Sequence, residues 1–130
     1  MESKNFMYGP TILRIFLGIL FLVPGINKLR NPSGVVAMLS GLQFPVPNFF
    51  AWVLLLSEII FGLALIFGWK VRYSAWPLIV VLVVASVLVV IPGVSAGQIH
   101  ITTLLFHLVG IAGLVSLVFT GAGAAAVSKD

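Results

Sequence analysis

Phe49-Phe-Ala-Trp-Val-Leu-Leu-Leu-Ser-Glu58-Ile-Ile-Phe-Gly-Leu-Ala-Leu-Ile-Phe-Gly68 decides the fold. It runs for twenty residues and carries a single ionisable side chain, Glu58, near its middle. At about 1.5 Å rise per residue, a helix of this length crosses a hydrocarbon core about 30 Å thick. An acid at that depth is costly unless it is neutral or paired, so it marks a candidate site whose partner must come from elsewhere in the chain. Trp52 near one end and Trp69 just past the other read as interface anchors.

The rest of the chain has the same character. Of its 130 residues, 61% are hydrophobic and 8% are charged, where a soluble domain carries about a quarter charged residues. The class is therefore an integral membrane protein, and the length suits one domain over residues 1–130. The net charge of +4 comes from basic residues scattered at the ends of apolar runs. That is a topology pattern and not a nucleic-acid patch. There is no cysteine, which excludes a disulfide framework, a thiolate metal site and thiol redox chemistry run by this chain alone. Two histidines seven residues apart on one segment also argue against a metal site or a haem held between facing histidines.

Hydropathy and breakers predict an all-α bundle of four transmembrane helices, over about 10–29, 49–68, 74–91 and 99–120. Met1 to Gly9 is a short polar tail, and Pro10 suits a first turn. Val23-Pro-Gly-Ile-Asn-Lys28 offers no small-x-small cleavage site, so the first helix is expected to be retained. On that helix Arg14, Gly18, Phe21, Gly25 and Lys28 share a stripe, whose glycines let a neighbouring backbone approach. Pro24 removes one backbone bond and is expected to bend it. Val35 to Leu42 is too short to span and is expected to form an interfacial helix. Pro77 is expected in the first turn of the third helix, and Pro92 to Gln98 as a loop. Gly121 to Asp130 is expected to be poorly ordered.

Four crossings place both termini on one side, with Lys4, Lys70, Arg72 and Lys129, and Arg14 close by. Lys28 and Arg30 lie on the other. The excess of cations predicts a multi-pass cell-membrane protein with both termini in the cytoplasm.

Three cations compete for Glu58. Helical side chains lean toward their own N-terminus. Arg14 therefore leans toward the cytoplasm, away from Glu58, and is expected to snorkel. Lys28 leans inward from the outer end of the first helix. His107 lies within about 5 Å of the depth of Glu58 by helix rise. His107 and Lys28 thus rank above Arg14, and by geometry His107 is the preferred partner of Glu58. A carboxyl beside such a group in low dielectric can exchange protons or hold a polar head such as a quinone carbonyl. It can also do no more than fix helix packing.

Arg14-Ile-Phe-Leu-Gly18 through Pro24-Gly25-Ile-Asn-Lys28 resembles the opening helix of the DoxX family of small four-helix membrane proteins. Gly41-Leu-Gln-Phe-Pro45 resembles its Gly-Leu-Pro break, with two extra residues. Glu58-Ile-Ile-Phe-Gly62 through Gly68-Trp-Lys70-Val-Arg72 resembles its most specific block. Gly121-Ala-Gly123 and Ser128-Lys-Asp130 resemble its closing motif. The resemblance implies a four-helix transmembrane bundle and marks Arg14, Lys28, Glu58 and Arg72, but not His107. It also implies a link to redox complexes, since the family takes its name from a thiosulfate:quinone oxidoreductase.

The expected function is thus a quinone-linked redox membrane subunit that works with a soluble partner carrying the electrons, or within a larger membrane complex. The alternative is a non-enzymatic assembly or lipid-binding protein whose polar groups lock the bundle. A transporter or channel subunit ranks third, because four helices make a path only as an oligomer and no inverted repeat is visible. Self-association is left open.

Overall fold

The computed structural model describes the backbone of residues 2–127 and the side chains of residues 8–127. The side chain of Lys4 and the whole of Ser128-Lys-Asp130 lie outside the described residues. The apolar runs become helices because a chain in hydrocarbon must satisfy its backbone groups within the segment. In order these are α1 (Glu2–Arg30), α2 (Pro32–Gly41), α3 (Pro47–Phe67), α4 (Val71–Ser95) and α5 (Ile101–Thr120). No strand forms among the described residues. Four of the helices are long and apolar enough to cross a membrane: α1 from Tyr8 onward, α3, α4 and α5. The protein is a four-span membrane bundle.

The helix α2 is the short interfacial element. It buries Val35 and Leu39 against Ala51 of α3. Val46, wedged between Pro45 and Pro47, turns the chain from α2 into α3 with φ 45°.

Three local expectations change. Helix α1 starts ahead of Pro10, which becomes an interior residue. Helix α4 starts at Val71, so Pro77 lies past its first turn. Helix α4 also runs on through Pro92 to Ser95, where a loop was expected. The last change has a visible cause. Residues Ser86–Val90 form a π turn, and the Ile91 N–H donates to the Ser86 carbonyl, five residues back. That wider turn takes up the missing N–H and the ring of Pro92 without ending the helix.

Packing centres on the α1–α3 pair. A Cβ added at Gly18 would lie 2.6 Å from the Gly62 carbonyl oxygen, and one added at Gly62 would lie 3.0 Å from the Gly18 carbonyl oxygen. The two backbones touch because neither helix has a side chain there, the small-residue contact by which helices associate in lipid. Around this seam Leu17, Phe21, Leu65, Leu78, Leu114 and Leu117 form the core. The outer faces carry Phe16, Phe106, Val109 and Phe119, each about two-thirds exposed or more and suited to acyl chains.

Candidate functional site

Polar side chains collect in two places, and the sequence assigned them differently from the fold. The first is at the end of the bundle where α3 stops and the last segment of the chain returns. Arg14 does not snorkel there. It is 1% exposed. Its Nε donates to the Ala122 carbonyl at 2.9 Å, and Nη1 to the carbonyls of Leu65 at 3.1 Å and Ile66 at 2.6 Å. Its Nη2 donates to the carbonyls of Ala124 at 3.1 Å and Ala125 at 2.6 Å. A guanidinium has five N–H groups, and five carbonyls meet it.

The cause is local. The last carbonyls of a helix lack intrahelical donors, and the C-terminal end of α3 carries partial negative charge. The tail supplies the remaining acceptors. Residues 121–127, expected to be poorly ordered, fold over Arg14. Thr11 Oγ1 donates to the Ala124 carbonyl, and the Val127 N–H donates to the Phe67 carbonyl at 3.1 Å. Gly121 turns the chain out of α5 with φ 79°, a conformation that other residues reach only with strain. A Cβ there would lie 3.3 Å from the Arg72 guanidinium. Gly68, with φ 77°, sits so close to Ala126 that a Cβ would be 2.7 Å from its methyl group. Arg14 is thus a fastener, and the structure separates it from Glu58.

The second place is inside the bundle. Lys28 Nζ donates to Glu58 Oε1 at 2.6 Å, forming an ion pair between α1 and α3. Gly25, one turn before Lys28, lets α3 come close, for a Cβ there would lie 3.1 Å from Glu58 Cβ. The carboxylate is 5% exposed and the ammonium 29%. The other oxygen, Oε2, is buried with no hydrogen-bond partner among the described residues. Such an atom costs about 1–3 kcal/mol of desolvation, more when charged.

Lys28, Glu58 and His107 line one cavity of about 240 Å³, bounded by Phe21 and Pro24 of α1 and by Leu82 and Ala85 of α4. His107 shares the cavity but does not bond the carboxylate. Its Nδ1 lies 2.8 Å from the Thr103 carbonyl. A carbonyl only accepts, so this bond requires a proton on Nδ1, the tautomer in which Nε2 is the acceptor. The other histidine, His100, accepts the Thr102 N–H at 3.2 Å and caps the start of α5, away from the cavity. Among the described residues no group of three His, Cys, Asp or Glu side chains is placed to hold a metal.

The cavity therefore offers ammonium N–H donors on Lys28 and acceptors on Glu58 Oε2 and His107 Nε2. The charges of the pair cancel. This set can hold a small neutral head that both donates and accepts, and can pass a proton at Oε2.

The DoxX family profile matches residues 9–91, well over half of the chain and spanning Arg14, Lys28, Glu58 and Arg72. The chain belongs to the DoxX family. It is also 31% identical over 70 residues to a protein of Bacillus subtilis (strain 168) named "Putative oxidoreductase CatD". That match covers 54% of this chain and 51% of the relative, so the chain spans about half the length of the curated DoxX relative it matches. No solved structure matches it.

Proposed function

We propose that this DoxX protein is a quinone-linked redox subunit of the cell membrane, with the Glu58–Lys28–His107 cavity as its head-group site. One observation carries the reading: Glu58 holds a buried carboxylate oxygen without a partner, beside a charged donor, in a cavity of about 240 Å³. A buried polar atom one bond short inside a membrane-spanning bundle calls for an explanation, and a ligand that completes it is the one that fits a cavity with a charged donor. The name of the Bacillus subtilis relative, an oxidoreductase, points the same way.

In this reading Lys28 donates to a carbonyl oxygen of the ring. Glu58 Oε2 accepts from a hydroxyl and holds the proton released or taken up there, while Lys28 offsets its charge. His107 Nε2 offers a second acceptor. The quinone supplies the redox chemistry. Its reduction takes two electrons and two protons, and with no cysteine this chain has no thiol donor. The electrons come from a soluble partner carrying a two-electron donor. In this reading that partner works at the cytoplasmic face, taken as the side that carries Lys70 and Arg72.

The test is purification in mild detergent, followed by native mass spectrometry and assay of extracted quinone. The expected result is quinone retained by the wild type and lost from Glu58→Gln while that variant remains folded, whatever the broken ion pair costs in thermal stability. Unchanged ligand content together with lowered thermal stability in Glu58→Gln would establish instead a bundle whose polar groups only hold it together.

A further inference from the structure

A second opening lies against the first. Helices α3 and α4 join through the turn at Gly68–Lys70, and away from that turn a groove of about 180 Å³ runs between them. Phe50, Leu54 and Ser57 of α3 form one side, Val84 and Leu88 of α4 the other, and Leu39 of α2 closes one end. The one polar side chain on its wall is Ser57. Val53 and Val84 are each more than two-fifths exposed, so the groove opens on the face the bundle turns to acyl chains. Val81 and Ala85 line this groove and also the Glu58 cavity. Ser57 and Glu58, consecutive on α3, border one opening each. The π turn begins just past Ala85, and such turns in helices are frequent at functional sites.

We propose that groove and cavity are one site for a neutral amphiphile, a ring head bearing hydroxyl or carbonyl groups on a single apolar chain. It enters sideways from the hydrocarbon layer between α3 and α4. The inference rests on the head-group reading above and adds the chain and the route. The apolar groove takes the chain, and Val81 and Ala85, which border both openings, set that chain beside the cavity where Lys28 and the buried Oε2 of Glu58, without a hydrogen-bond partner among the described residues, meet the head. Because the charge of Lys28 is already balanced by Glu58, the pair has no net positive charge with which to hold a phosphate head in the bundle. The site therefore selects against phospholipid.

The test uses two probes on the full chain in detergent micelles: a benzoquinone carrying a decyl chain, and the same ring with a methyl group in its place. Val84→Trp fills the groove at a position outside the cavity and already exposed, so the bundle tolerates it. It is expected to weaken binding of the decyl probe by about tenfold and to leave the methyl probe unchanged. Glu58→Gln weakens both. Equal binding of the decyl probe to wild type and Val84→Trp would overturn the groove while the head-group reading stands. Loss of decyl binding in Val84→Trp with no effect of Glu58→Gln would overturn the head-group reading and, with it, the joined site. Failure of the wild type to bind either probe would end both. As an independent check on the wild type, a diazirine at the chain end is expected to label residues 50–54 or 84–88. Labels confined to the outer face of α5, around Phe106 and Val109, would also overturn the proposal.

Discussion

Arg14 and Lys28 stand on the same helix and do different work. Arg14 is spent on backbone carbonyls. Replacing it by Lys leaves three donors for five acceptors and loses the planar fork. Arg14→Lys is expected to lower stability by about 2–3 kcal/mol, read as thermal unfolding in mild detergent, with quinone content unchanged. Lys28 is bound to one carboxylate. Lys28→Met leaves Glu58 buried without its cation, and the expected loss is about 3 kcal/mol. The double variant Lys28→Met/Glu58→Gln is expected to recover most of it, because no stranded charge remains. A double-mutant cycle in detergent measures that coupling. That Lys28 leans toward the depth of Glu58 was legible in the sequence, since antiparallel helices lean their side chains in opposite directions, but the choice between Lys28 and His107 was not. The depth of His107 was legible too, but its rotation was not. One residue turns a helix by about 100°, and the Thr103 carbonyl that holds the ring belongs to no residue type. The partners of Arg14 were hidden for the same reason. Every acceptor is a peptide oxygen, and a sequence prints those identically at each position.

At the level of elements, the α1–α3 seam sets the distance on which the ion pair depends. A methyl group at Gly18 has nowhere to go, because the obstacle is the backbone of Gly62. Gly18→Ala is expected to cost about 1–3 kcal/mol by overpacking. Gly9→Ala on the same helix, where nothing lies within 4 Å of the added Cβ, is expected to gain about 0.5–1 kcal/mol. Comparing the two unfolding midpoints separates packing from helix propensity. The glycine stripe told of a close approach without naming the opposite helix. The π turn left no trace in hydropathy, since Ser86–Val90 reads as more of the same valine-rich run. Pro92 reads as a helix end in the sequence because the bulge that accommodates it depends on hydrogen-bond register and not on composition.

For the whole molecule, hydropathy alone revealed four crossings, since the bilayer imposes length and apolarity on each. It could not reveal that the small-residue tail is part of the bundle. Alanine and glycine carry little hydrophobic signal, and what the tail contributes is carbonyl oxygen. Removing residues 121–130 strips Arg14 of three of its five acceptors. The truncated protein is expected to melt roughly 10 °C lower and to be cut by protease near the end of α3, where the full chain resists.

That closure also dictates an order of manufacture. Arg14 leaves the ribosome 108 residues ahead of the Ala122 oxygen it finally grips. While the nascent chain grows, this charge has to wait at the lipid–water boundary or with the insertion machinery. The Arg14 end of the bundle is therefore closed only once residues 122–125 are made, and a chain cut short before them leaves that arginine unsheltered.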